Sequence, residues 1–284
     1  MSDDNTVGII GLGLLGSALA ERLLKAGIRV VGFDLDVSRC ELFARSGGEA
    51  VDSAQSVARQ ARRIIFSLPN SEIVQQVVAE IASLLRPGTV VVDTTTGDPE
   101  TMAALGRRLE SLGVQYLDAT IGGSSQQARE GDVIVMAGGH PAAFAACGDL
   151  FATFSRETFH VGPCGYGARM KLAVNLVLGL NRAALAEGLS FARAMGLDLD
   201  KTLEILRAGP AWSRAMDIKG IKMIEQDFEP QAKLSQHLKD VNLILASGCA
   251  AKLPFSELHL SLLERLVQSG FGDADNSAII KAFE

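Results

Sequence analysis

Within its first sixteen residues the chain runs an apolar segment, Val7-Gly8-Ile9-Ile10, straight into Gly11-Leu12-Gly13-Leu14-Leu15-Gly16. A G-x-G-x-x-G between a strand and a helix admits few architectures, because each glycine answers a separate steric demand. Gly11 permits the tight strand-to-helix turn, Gly13 lets backbone approach a pyrophosphate, and Gly16 lets the helix pack closely on the strand. The helix N-terminus then faces the phosphates. The whole turn, Gly11, Leu12, Gly13, Leu14, Leu15 and Gly16, is therefore the expected dinucleotide-binding element.

A glycine motif alone also arises for packing, so its surroundings decide. Ala18, Leu19, Leu23 and Leu24 supply a helical apolar face, Gly27 is placed to end the helix, and Ile28 to Phe33 is a β-branched and aromatic run. Asp34 follows at the tip of that second strand. An acid about 20 residues beyond the turn suits hydrogen bonds to an adenosine ribose, where the plain alternative is a solvated loop acid or a helix cap. A carboxylate there repels a 2′-phosphate, and Leu35-Asp36-Val37-Ser38 offers no base to bind one, so NAD is expected over NADP. Arg39 is the one long cation near enough to fold back toward the ribose.

A chain of 284 residues with 48% hydrophobic content can bury a substantial core and suggests two domains. Met1 to Thr6 is short and acidic rather than a basic targeting segment, and no run of about 18 uncharged apolar residues is present, which points to a cytoplasmic protein without a membrane partner. The net charge of −6 without a basic tract argues against nucleic acid. Cys40, Cys147, Cys164 and Cys249 form no C-x-x-C pair, and the four histidines show no ligand spacing, so neither a disulfide framework nor a metal site is expected.

Strand-like runs at Val7 to Ile10, Ile28 to Phe33, Arg63 to Leu68, Thr89 to Asp93, Gln115 to Asp118, Val133 to Ala137 and Thr158 to Val161 alternate with helical ones. The alternation predicts an α/β fold, a doubly wound parallel sheet with helices on both faces. Loops after the strands, Ser67 to Asn70, Asp93 to Thr96 and Ala119 to Ser125, should line the cofactor cleft. From Gly162 the rhythm changes to helices, the first spanning 167 to 195, later ones divided by Gly209-Pro210, Glu229-Pro230 and Leu253-Pro254. Residues 1–162 are read as the nucleotide-binding domain and 163–284 as an all-helical domain.

Four blocks in this order and spacing resemble the β-hydroxyacid dehydrogenase family: the glycine turn with Asp34, Asp118-Ala119-Thr120-Ile121-Gly122-Gly123 through Gly131, Gly165 through Asn175, and Lys239-Asp240. The resemblance spans nearly the whole chain. It implies a Rossmann domain joined by a long helix to an all-helical domain, with a small anionic substrate in the cleft between them. It further implies that Lys171 is the catalytic acid/base, that Asn175 helps hold substrate, that Lys239 approaches the nicotinamide, and that Leu68, Pro69 and Thr96 contact cofactor. Homodimers or homotetramers are common in the family, and the apolar helix from Leu172 to Ala194 suits such an assembly.

Chemistry supports the lysine independently. Oxidising an alcohol by hydride transfer requires its hydroxyl proton to leave, and Lys171 lies about one turn into the long helix, where the macrodipole and Arg169 disfavour an ammonium. Asn175, four residues on, shares its face. The ordinary alternative for any lysine is a solvated surface charge, as a surface ion pair is for Lys239 and Asp240. Trp212 and Phe228 are candidate pocket walls, though a lone aromatic is more often core, and His237 reads as an exposed residue of a polar helix start.

The chain departs from the family's D-A-P-V-S-G-G loop. Thr120 replaces proline, Gly122 replaces the serine that meets a carboxylate, Ser124 follows where glycine is expected, and Gln127 replaces another glycine. Backbone amides of Gly122, Gly123 and Ser124 can still cradle an anion, with the Ser124 or Ser125 hydroxyl as substitute. The resulting reading is an NAD-dependent enzyme interconverting a small 3-hydroxy acid and its semialdehyde. Its rivals are an imine reductase, against which Lys171 counts, a sulfolactaldehyde reductase, whose loop carries arginine where Gly123 stands, a methyltransferase, and an NAD-binding protein without turnover.

Overall fold

The computed structural model describes residues 6–284, so the acidic lead read in the sequence falls outside it apart from Thr6. Strand β1 (Thr6–Ile10) enters the glycine turn and α1 (Leu14–Lys25), and β2 (Arg29–Phe33) follows. Then come α2 (Val37–Arg45), β3 (Glu49–Ala50), α3 (Ala54–Gln60), β4 (Arg63–Phe66), α4 (Ser71–Ile81), β5 (Val90–Asp93) and α5 (Pro99–Glu110). The next elements are β6 (Gln115–Gly122), α6 (Ser125–Glu130), β7 (Val133–Gly138), α7 (Pro141–Ala146), α8 (Gly148–Phe154) and β8 (Ser155–Gly162). Helix starts are locally encoded. Asn70 and Asp98 each accept from the backbone N–H three residues on, and Pro99 occupies a first-turn position where its missing N–H costs nothing.

The sheet order is β3-β2-β1-β4-β5-β6-β7-β8, whose first six strands follow the order of dinucleotide-binding sheets, with the reversal between β1 and β4. Helices cover both faces. Leu19 and Leu23 of α1 pack with Phe151 and Phe154 on one face, whereas Val57, Val74, Val78, Leu105 and Leu109 fill the other.

The sheet is not wholly parallel, as its sequence suggested: β7 runs antiparallel to β6, pairing Asp118 with Gly138 through Gly122 with Ile134. The connection from Gly122 to Val133 holds only the six-residue α6 and closes on Gly131 in the left-handed region, too short for a parallel crossover. This pairing also draws Ala119 to Gly122, expected as loop, into β6. Short β3, absent from the sequence reading, pairs only Glu49 and Ala50 with β2.

The chain divides into two compact units, one running to Lys171 and the other from Leu172 to Glu284. The helical unit comprises most of α9 (Tyr166–Ala194), then α10 (Leu199–Ala208), α11 (Arg214–Glu225), α12 (Leu234–Ala246), α13 (Pro254–Leu266) and a 3-10 helix at Asn276–Phe283. By length and a mean hydropathy of 1.3, α9 would suffice to cross a membrane. Leu185, Ala186 and Leu189 instead lie in a core with Leu203, Met223, Val241, Leu263 and Ile279, as a core helix requires.

The start of α9 is capped from a distance. Asp118, in β6 and almost wholly buried, accepts from Gly165 N at 3.0 Å and from Ala168 N at 2.8 Å. Asp93, its aligned neighbour in β5, accepts from Tyr116 Oη at 2.5 Å and from Thr95 N at 2.9 Å. Burial pushes both carboxyls up to about 6 from 3.8, and for Asp93 the nearby Asp118 charge adds to it. A carboxyl whose pKa rises on folding binds its proton more tightly in the native state, so ionisation costs stability as pH rises from about 4 through about 6. Asp93→Asn is therefore expected to raise the melting temperature relative to wild type at pH 7 to 8, with the gain shrinking toward pH 4. Melting curves across that range check it, and an equal difference at both ends contradicts it.

Candidate active site

The glycine turn separates into residues the fold requires and one it does not. Gly11 has φ +97°, and a Cβ there would lie 2.3 Å from Ser67 O; one on Gly16 would lie 1.9 Å from Gly11 O. Gly13 has φ −66°, and its Cβ would meet nothing nearer than Arg39 Nη1 at 3.8 Å. Space is thus left open at Gly13 alone, where backbone would approach a pyrophosphate, and no side chain caps the start of α1. Leu12 is buried, Leu15 is half-buried against the sheet core, and Leu14 is exposed.

Asp34 is oriented before any ligand arrives. Its Oδ2 accepts from Leu12 N at 2.7 Å and its Oδ1 from Asp36 N at 2.9 Å. Arg39 bridges Asp34 and Asp36, each at 3.4 Å, so its guanidinium lies beside the glycine turn. Leu68 approaches Gly11 from the next loop, and its N–H donates to Thr95 Oγ1 at 3.2 Å. Pro69 is exposed beside it, and Thr96 is half-buried at the end of the β5 loop.

Lys171 Nζ donates to Ile121 O at 2.6 Å, which places the amine beside the Gly122-Gly123 backbone. The positive sources expected around it are offset: Asp118 sits at the helix start, and Arg169 is exposed and paired with Glu100. Gly167 is needed there, because a Cβ would fall 1.9 Å from Asp118 O. Thr120 Oγ1 also reaches the start of α9, 3.0 Å from Gly167 O.

The altered loop is internally consistent. Ser124 caps α6, its Oγ accepting from Gln127 N at 3.2 Å while its own N–H donates to Gln127 Oε1 at 2.9 Å. The Ser124 amide is therefore already engaged, and Gln127 accounts for that. A Cβ on Gly122 would come 2.6 Å from Ile134 Cγ1, and one on Gly123, at φ +148°, 2.7 Å from Val133 Cγ1.

In the helical unit, buried Asn175 donates from Nδ2 to Asp240 Oδ2 at 2.9 Å. Lys239 is half-buried with Nζ 3.8 Å from Asp240 Oδ1. His237, expected to be exposed, is buried at 6% exposure with its ring 5.1 Å from that of His259, because α12 turns His237, Asp240, Val241 and Ile244 inward together. Phe228 packs edge-on against Phe271 in the helical core, and Trp212 is exposed with Nε1 donating to Asp217. Sequence reasoning did not single out Asp118 as the α9 cap or Asp240 as the partner of Asn175. Both pairings join residues far apart in the chain, and no local pattern announces them.

A family model described as the NAD binding domain of 6-phosphogluconate dehydrogenase matches residues 6–162. A second, described as the NAD-binding of NADP-dependent 3-hydroxyisobutyrate dehydrogenase, matches residues 165–283. The chain is 32% identical to 2-(hydroxymethyl)glutarate dehydrogenase of Eubacterium barkeri, over 98% of its own length and 94% of that protein. It is 28% identical to the cytokine-like nuclear factor N-PAC of Drosophila melanogaster over 97% of its length, but spans only 47% of that protein. The crystal structure of 3-hydroxyisobutyrate dehydrogenase from Salmonella typhimurium matches with a TM-score of 0.89 at 27% identity, covering 98% of this chain and 99% of that one.

The contrast between the glycines is testable. Gly13→Ala is expected to melt within a degree or two of wild type yet lose most NADH affinity in a fluorescence titration, whereas Gly16→Ala lowers the melting temperature itself. Native NADH affinity in Gly13→Ala would remove Gly13 from the cofactor site.

Proposed function

Because the chain belongs to the β-hydroxyacid dehydrogenase family and is an NAD(P)-dependent oxidoreductase, we propose that it interconverts a small 3-hydroxy acid and its semialdehyde with NAD preferred and Lys171 as general acid/base. The observation that carries this reading is the Lys171 amine anchored to Ile121 O beside the glycine pair of the altered loop. Bound NAD supplies the hydride acceptor. The neutral amine takes the hydroxyl proton as the carbonyl forms; in reduction the ammonium returns it and stabilises the developing alkoxide. The Ile121 carbonyl holds one N–H and so aims the rest of the group.

Gly122, Gly123, Ser124 and Asn175 are the proposed substrate-binding residues, and Leu68, Pro69, Thr96 and Lys239 join the glycine turn and Asp34 around the cofactor. Ser124 contributes its hydroxyl, since its amide serves Gln127. NAD is favoured because Asp34 is fixed at the tip of β2 and Arg39 is committed to two carboxylates rather than to a 2′-phosphate. The cytoplasm is the proposed compartment.

Lys171→Ala is expected to keep NADH affinity and melting temperature while losing roughly 100-fold or more in turnover. Lys171→Arg should fail alike, because a guanidinium does not release its proton near neutral pH. A turnover screen of hydroxy acids with NADH and NADPH checks this. Undiminished activity in both variants would sink the acid/base role, and equal efficiency with both cofactors would sink the NAD preference. NADH binding with no turnover of any hydroxy acid would favour ligand binding alone.

The proposed assembly is a homodimer or homotetramer. Val177, Phe191, Met195, Ile205, Ile221 and Phe255 are all exposed on the helical unit, more large apolar side chains than a lone surface usually carries. Light scattering should give a multiple of the 30.0 kDa chain mass, and a monomer at micromolar concentration would contradict it.

A further inference from the structure

Thr120 stands where the family loop carries proline, and in β6 it is wholly buried. Its Oγ1 lies 3.0 Å from Gly167 O in the first turn of α9 and 3.3 Å from Met136 O in β7. A hydroxyl has one proton to give, and the nearer acceptor is the helical one. In an α-helix the N–H of Lys171 bonds to that same carbonyl, four residues back. Gly167 O thus has a donor without Thr120, and the hydroxyl does not rescue an orphaned acceptor.

What the hydroxyl adds is a further hold on the turn that carries Lys171. Gly167 is already pressed against the strands, since a Cβ there would fall 1.9 Å from Asp118 O and 2.7 Å from Met136 O. The next residue of β6, Ile121, accepts from Lys171 Nζ at 2.6 Å. Adjacent residues of one strand therefore hold the lysine at its backbone and at its tip. A four-carbon stem fixed at one end samples many staggered conformers, whereas one fixed at both ends keeps few. Proline has no hydroxyl to supply the first hold, and neither has valine, which shares the branching of threonine.

We propose that Thr120 is a positioning residue for Lys171, its hydroxyl pinning the Gly167 peptide so that the amine is delivered to one place beside Gly122 and Gly123. The threonine at 120 then changes how the amine is held, not what the loop offers an anion. The consequence for turnover rests on the proposed reading in one respect, that Lys171 is the acid/base.

Two measurements test it on the full-length protein. The first needs no substrate: reductive methylation with formaldehyde and cyanoborohydride, followed at each lysine by peptide mass spectrometry. Thr120→Val is expected to raise the rate at Lys171 about fivefold, the scale of one neutral hydrogen bond, and Thr120→Ser to bring it back. Lys219, buried against Asp275, serves as the internal reference and should be unchanged in both variants. A merely structural hydroxyl would raise Lys219 together with Lys171 as the fold loosens. An unmoved rate at Lys171 in Thr120→Val, or one that serine does not restore, would overturn the proposal. The second measurement follows oxidation of 3-hydroxyisobutyrate with NAD. Thr120→Val should lower kcat about fivefold with NADH affinity and melting temperature kept, and should cost nothing further in Lys171→Ala. Losses that multiply in the double variant, or a melting temperature that falls in step with kcat, would also overturn it. If wild type does not turn over this probe, the labelling rates alone decide. Full turnover in Lys171→Ala with the labelling response intact would sink the acid/base reading and leave the hold of Thr120 on the amine standing.

Discussion

The carboxylate of Asp118 is the interaction on which the rest of the nucleotide-binding unit depends. It sits in β6 and takes up two backbone N–H groups at the start of α9, which would otherwise be buried without partners. Burying an acid there is costly, as its raised pKa shows, and the cost is offset because the same carboxylate ties sheet to helix. Close packing follows from it. Gly138 has no room for a side chain between Asp118 Oδ1 and Pro163 O, nor Gly167 against the backbone oxygens of Asp118 and Met136, and Lys171 leaves the helix barely a turn later to reach the carbonyl of Ile121 in the very strand that holds Asp118.

The most legible parts of the sequence were those whose cause is local. The glycine turn, its helix and the acid after β2 each follow from residues within one βαβ unit, and the structure joins them through the bond from Leu12 N to Asp34. The cores of β1, β2, β4, β5 and β7 were found to within a residue or two for the same reason, since buried strands are short continuous apolar runs, whereas exposed β8 begins three residues before its reading. What escaped depends on partners distant in sequence. The direction of β7 is set by a connection too short for a crossover, and the extension of β6 by the neighbour that this direction provides. His237 looked exposed because its flanking residues are polar, whereas its environment is set by Gly179 and His259, on two other helices.

Among the proposed site residues, lysine and asparagine were recognisable by motif, but the groups that contact them were not. Ile121 contributes only a carbonyl oxygen, which carries no signature in a sequence. Asp240 was visible as part of a block, yet its contact with Asn175 passes between helices. A motif thus picks out candidate side chains better than it identifies what holds them still.

The altered loop is best understood as a linked set. Gln127 closes on both the amide and the hydroxyl of Ser124, and Ile134 fills the space that a side chain at 122 would need. Ser124 and Gln127 therefore presuppose each other, and Gly122 presupposes Ile134. A serine placed at 122 would meet Ile134, so that substitution calls for a smaller residue on β7 first. Neighbouring strands, rather than the loop alone, set which side chains this loop can carry.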